Sequence, residues 1–89
     1  MTSVFDPSAR WAINELVSLR DEEFGALAYH HGTRRLVFLK SRELVALVRR
    51  LDEFESASLA IDAVVGAPEH ERYVSALASL ATSEIIRGR

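Results

Sequence analysis

The sequence predicts an α+β fold in which a three-stranded antiparallel sheet is followed by three helices, and two observations carry that expectation. From Trp11 to Lys40 the apolar residues fall in short runs separated by turn residues, too brief for helices of ordinary length. After Ser41 the spacing changes: Leu44, Leu47, Val48 and Leu51 recur at i, i+3, i+4 and i+7, the stripe of an amphipathic helix.

The first strand is expected over Leu16–Arg20, with Asp21-Glu22-Glu23 as the turn, and the second over Gly25–His30. His31-Gly32 closes the next hairpin, where glycine can supply a positive φ. Thr33 to Leu39 then forms the third and strongest strand. Ser41 stands where an N-cap belongs, opening a helix over about 41–52. Ser56 or Ser58 caps a short second helix over about 57–65, with Leu59, Ala60, Ala63 and Val64 as its apolar face and Gly66 as its end. Pro68 suits the first turn of a third helix running to about residue 82, whose apolar face is Tyr73, Val74, Leu77, Leu80 and Ala81. Ile85-Ile86 extends that face as a short terminal segment. The order of elements is winged-helix-like, and such folds bind DNA, peptides or other subunits, so sites must decide function.

A chain of 89 residues fits one domain over 1–89. Apolar residues make up 48% of it, and because 12 of them are alanine the core rests mainly on 11 Leu, 8 Val, 4 Ile and 4 Phe. The absence of cysteine excludes disulfides, Cys-ligated zinc, an iron–sulfur cluster held by this chain and thiol nucleophiles. No apolar run is long enough to span a membrane, and the start Met1-Thr2-Ser3-Val4-Phe5-Asp6 lacks a signal-peptide pattern, so the expected location is cytoplasmic, without membrane association.

The net charge of −2 conceals a polarised distribution. Residues 1–33 sum to −3, residues 34–50 to +5, residues 51–73 to −5 and residues 74–89 to +1. Taken alone, such a pattern can merely decorate solvated faces. The basic block begins inside the third strand and continues into the first helix, where Arg42 and Arg49 lie seven apart on one side.

Catalytic chemistry is not evident. His30 and His31 are adjacent and point to opposite faces of a strand, and His70 opens a helix, so a histidine metal site is not expected. Four glycines form no phosphate loop, and Ser41, Ser56 and Ser58 read as caps rather than nucleophiles. No cofactor is expected, and the chain reads as a non-enzyme.

The runs Phe24-Gly25-Ala26-Leu27, Tyr29-His30, Gly32-Thr33-Arg34-Arg35-Leu36 and Phe38-Leu39-Lys40-Ser41 resemble the small chaperone family of mycofactocin biosynthesis. Trp11 and Val17-Ser18-Leu19-Arg20 extend the similarity, which covers about residues 11–51. The family pattern carries prolines where this chain has Asp21-Glu22-Glu23, a difference confined to a turn. The resemblance implies a peptide-recognition element like that of the pyrroloquinoline-quinone biosynthesis chaperone. Its partners would be the mycofactocin precursor peptide, whose leader adds as a strand to the edge of the third strand beside the last helix, and a radical S-adenosylmethionine maturase. That maturase decarboxylates the C-terminal tyrosine of the precursor and crosslinks it to the preceding valine, and the iron–sulfur chemistry is its own.

A sheet edge offers free N–H and C=O groups to a guest strand, while neighbouring side chains select the guest. The expected peptide-binding residues are therefore Thr33, Arg34, Arg35, Leu36, Val37, Phe38, Leu39, Lys40 and Arg42, with Tyr73, Val74, Leu77 and Ala78 from the last helix. The resemblance also implies a precursor rich in Asp and Glu, which Arg34, Arg35, Lys40, Arg42 and Arg49 would match in sign, and the Val37 amide is one candidate ladder donor. The alternatives are a winged-helix DNA-binding module or a dimerisation module. Glu69 and Glu71 at the start of the third helix oppose contact with phosphates, so no nucleic-acid partner is expected.

Overall fold

A computed structural model of the chain describes residues 5–89. Met1–Val4, where a targeting signal would begin, lie outside the described residues. The elements run β1 (Trp11–Ile13), β2 (Val17–Glu22), β3 (Gly25–His30), β4 (Leu36–Leu39), α1 (Arg42–Arg50), α2 (Ala57–Val64), α3 (His70–Thr82) and β5 (Ile86–Gly88). Short 3₁₀ turns at Leu51–Glu53 and Ala67–Glu69 follow α1 and precede α3. The fold is α+β, with β2, β3 and β4 forming a three-stranded antiparallel sheet in that spatial order ahead of the three helices.

Two strands were not anticipated. β1 pairs antiparallel with β5 in a separate two-stranded sheet, with Trp11 opposite Gly88 and Ile13 opposite Ile86. Each segment has only three residues, and its partner lies at the far end of the chain, so neither carries a strand's pattern by itself.

The first hairpin is tighter than the sequence implies. Asp21 and Glu22 belong to β2, and only Glu23 and Phe24 form the turn. Gly25 is required next: a Cβ there would stand 2.0 Å from the Leu39 carbonyl oxygen of β4. The second turn departs further, because Thr33, Arg34 and Arg35 lie outside β4, which begins at Leu36. The positive φ expected of Gly32 is found instead at Arg34, at 65°. Gly32 is needed for a different reason, since a Cβ would lie 2.9 Å from the buried His30 ring.

Ser41 caps α1 by accepting the Leu44 N–H at 3.1 Å, and Ser56 caps α2 by accepting that of Leu59 at 3.1 Å. Gly66, at φ 111°, ends the second helical stretch. The face of α2 is rotated from expectation: Ala57, Ala60 and Ile61 are buried, whereas Leu59 and Ala63 are exposed. Eight residues give too few turns for periodicity to settle the phase, and Ile61 wins by packing into the common core.

The inner face of the sheet presents Ala26, Ala28 and Leu39, all buried, to α1. Small residues in β3 let the helix approach closely, and Leu47, Val48 and Leu51 fill the space beneath, joined by Ile61, Leu77, Ile85 and Ile86. All three helices contribute buried side chains to this one cluster, while Leu36 and Phe38 stay exposed.

Replacing Gly25 by Ala is expected to destabilise the protein by about 1–3 kcal/mol or more in urea unfolding, since the clash is with backbone. Gly88→Ala, whose Cβ would meet only an ordinary contact at 3.9 Å, should stay within about 0.5 kcal/mol of the parent.

Candidate functional site

β3 is bonded on both sides, and the parity of its bonds determines what β4 has left to offer. The His31 N–H donates to the Leu16 carbonyl at 2.8 Å on the β2 side, and the His30 N–H donates to the Arg35 carbonyl at 2.9 Å on the β4 side. With the antiparallel period of two, Val37 opposite Ala28 and Leu39 opposite Ala26 turn their amides and carbonyls toward β3. The backbone groups of Leu36 and Phe38 therefore point outward from the edge. The Val37 amide is committed to the existing sheet, so it is not the free donor that the sequence alone allows.

Side chains alternate likewise. Leu39 is fully buried and Val37 half-buried on the helix side, whereas Leu36 and Phe38 are 56% and 54% exposed on the opposite face. There Phe38 meets Phe24 edge-on at 5.7 Å between ring centres, and Leu27 and Tyr29 continue the apolar surface across β3.

The loop ahead of β4 is held by His30, which is 2% exposed. Its Nδ1 accepts two backbone N–H bonds, from Gly32 and Thr33, each at 3.0 Å, while its carbonyl accepts the Arg34 N–H at 2.7 Å. Two donors on Nδ1 place the proton of the neutral ring on Nε2. This buried acceptor positions Arg34 and Arg35, whose side chains are exposed. The sequence contains the signal, a histidine two residues before a glycine in a turn, but its role becomes visible only once the ring is seen to point inward.

At the other end of β4 a groove opens toward α3. Lys40, Ser41, Leu44, Arg72, Tyr73 and Ala76 line it, and it encloses about 140 Å³. Lys40 also borders the patch of Phe24 and Phe38, so one lysine side chain stands between the apolar face and the groove. Leu44, Arg72 and Ala76 were not among the expected site residues; the helical spacing from Tyr73 to Ala76 is the signal that could have found the last of these.

The expected residues are only partly brought together. Leu36, Phe38 and Lys40 lie on or beside the open edge, and Tyr73 shares the groove with Lys40. Thr33, Arg34 and Arg35 sit in the loop rather than in the strand. Val74 and Ala78 are half-buried, while the Leu39 and Leu77 side chains are wholly inside the core, where apolar burial holds them. Arg42 turns away: its Nε donates to the Glu23 carbonyl at 3.3 Å, across the sheet from the edge. Arg49 follows it, meeting Asp21 at 2.9 Å. The basic block thus divides. In its helical half Arg42 and Arg49 reach the Asp21–Glu23 end of the β2–β3 hairpin and Arg50 pairs with Glu53, whereas Arg34, Arg35 and Lys40 carry no ion pair among the described residues.

The two edges of the sheet therefore differ: the acids of β2 are paired with Arg20 and Arg49, whereas the cations beside β4 carry no ion pair among the described residues. β2 ends in Asp21 and Glu22 with Glu23 following, and β4 is flanked by three unpaired cations. Among the described residues there is no cluster of three potential metal ligands, and no helix is long and apolar enough to cross a membrane.

The sequence pattern of the peptide chaperone MftB family matches residues 10–87 of the chain. The peptide chaperone MftB of Mycobacterium ulcerans is 43% identical over 83 residues, covering 92% of this chain and 76% of that protein. That of Mycobacterium tuberculosis is 40% identical over 86 residues, covering 96% and 79%, and that of Mycolicibacterium smegmatis is 40% identical over 83 residues, covering 92% and 81%. No solved structure gives a significant match.

His30→Phe should release the turn, because the ring volume stays while two N–H groups lose their acceptor. A loss of about 1–3 kcal/mol in urea unfolding is expected, with faster amide exchange at Gly32 and Thr33. Arg49→Ala removes an exposed pair and should cost no more than about 1 kcal/mol.

Proposed function

The chain belongs to the peptide chaperone MftB family, and on that premise we propose that it binds the leader of the mycofactocin precursor peptide as an added strand on β4 and presents it to a radical S-adenosylmethionine maturase. The chain itself is non-catalytic, as its relatives' designation as peptide chaperones describes. One observation carries the binding reading. β4 is an edge whose outward amides, at Leu36 and Phe38, are flanked by unpaired cations and lead into a groove against α3. Backbone pairing supplies affinity that depends little on sequence, and side chains around the edge supply selection.

Charge distinguishes this reading from self-pairing. Two copies joined antiparallel through the Leu36 and Phe38 amides would run Lys40 of one toward Arg34 and Arg35 of the other, and like charges across strands are unfavourable. An acidic guest meets the opposite situation. It also bears on the choice of edge, since the cations near β2, Arg20 and Arg49, are already paired with Glu22 and Asp21, and Glu23 follows that strand. The DNA-binding alternative receives no support from α3. Glu71 is exposed in its first turn, Arg72 is engaged by Glu69 at 3.0 Å, and His70 Nδ1 lies 2.8 Å from Asp62. Delivery requires release, so a dissociation constant near micromolar, about −8 kcal/mol, is expected.

Calorimetric titration of the protein with the synthetic precursor tests the binding reading. Reversing Arg34 and Arg35 to Glu together should weaken binding measurably without unfolding the domain, by about 0.2–1 kcal/mol for each side chain, and raising salt from about 50 to 500 mM should weaken it in the parent. Phe38→Pro removes an outward donor and should reduce affinity further, whereas an unchanged isotherm for this variant would count against strand addition at β4. Delivery is tested by maturase turnover with and without the protein: omission should slow it, and equal rates would remove the presenting role.

A further inference from the structure

The register of β4 constrains the guest beyond its charge. In an antiparallel pairing, residues directly opposite one another point to the same face of the sheet. Leu36 and Phe38 are the outward-bonding positions, and both project onto the uncovered face, where each is more than half exposed. The guest residues opposite them, two apart, must project onto that same face. Two apolar side chains there would cover Leu36 and Phe38; two polar ones would leave all four groups in an awkward contact.

The position opposite Lys40 falls two residues earlier in the guest. Its side chain would arrive beside exposed Lys40, which borders both the Phe24–Phe38 patch and the groove holding Arg72, and this favours a carboxylate. At the other end, past Leu36, the guest runs toward the exposed Arg34 and Arg35, which again favours acid. The intervening guest residues turn toward the helix side, beside half-buried Val37.

We infer that the edge selects a strand of the form acid–x–apolar–x–apolar–x–acid, read from the N terminus of the guest, with Lys40 setting the first acid and Leu36 and Phe38 setting the apolar pair. This rests on strand addition at β4 and makes that reading more specific: the chemical class of ligand is an amphipathic acidic β-strand, not any acidic peptide. Leu36, Phe38 and Lys40 are then the specificity-determining side chains.

Three synthetic peptides test it by amide-shift titration: acetyl-Glu-Ser-Val-Ser-Val-Ser-Glu-amide, the isomer acetyl-Glu-Ser-Val-Val-Ser-Ser-Glu-amide, and the first peptide with Lys at both ends. In the isomer the two valines fall on opposite faces. The first peptide should bind about fivefold more tightly than the isomer, with shifts centred on Leu36 and Phe38, because both set a valine opposite Phe38 and only the first also sets one opposite Leu36. Leu36→Ser should abolish that ratio, and Lys40→Glu should narrow or reverse the preference for Glu-ended over Lys-ended peptide; both positions are exposed, so folding is expected to persist. Equal affinity for the two isomers in the parent protein would overturn the inference. If the precursor binds with shifts at β4 while the isomers are not distinguished, strand addition stands and this selectivity fails. If no peptide, the precursor included, perturbs β4, both fail.

Discussion

The constraint on which the site depends is that β3 is satisfied on both sides and β4 on only one. Antiparallel pairing spends alternate backbone groups on each neighbour, so the bonds from His30 and His31 in opposite directions assign a direction to every amide in the sheet. Leu36 and Phe38 are left facing outward by that parity. A slip of one residue would turn Val37 and Leu39 outward instead and would move their side chains out of the core. Core packing therefore fixes both the edge amides and the face onto which the edge side chains project.

The same sheet owes its one-sidedness to residue size. Ala26 and Ala28 admit α1 to the inner face, and the helical cluster of Leu47, Val48, Ile61 and Leu77 seals it. On the outer face Leu27, Tyr29, Leu36 and Phe38 remain without a covering helix. His30 is the buried polar side chain of this sheet among the described residues, as Ser56 is at the start of α2. The His30 ring accepts two turn amides that would otherwise need water, and this stiffens the loop before β4.

Electrostatics divides the molecule by pairing rather than by composition. Arg42 and Arg49 hold the acidic turn of β2 and β3, and Arg50 pairs with Glu53 at 3.0 Å while lying over the Phe54 ring. Among the described residues Arg34, Arg35 and Lys40, at the two ends of β4, have neither an ion pair nor a backbone carbonyl holding the side chain, whereas Arg42 and Arg89 bond to carbonyls. The segment sum of +5 over residues 34–50 is thus an arithmetic fact about the chain, and the useful field comes from the smaller set left unneutralised.

Much of this was determined by local sequence. The caps at Ser41 and Ser56, the stop at Gly66, the apolar stripe of α1 and the β character of residues 17–30 all follow from interactions within a few residues, which is why they are legible without a partner in view. So was the resemblance carried by residues 24–41. The tertiary structure decided what depends on distant contact. β1 and β5 exist only because the chain ends meet, the face of α2 was set by the core that Ile61 enters, and Arg34 takes its positive φ because the loop closes over His30. The outward direction of the Leu36 and Phe38 amides and the withdrawal of Arg42 and Arg49 belong to the same class, since strand parity and ion pairing are properties of neighbours that the chain acquires only on folding.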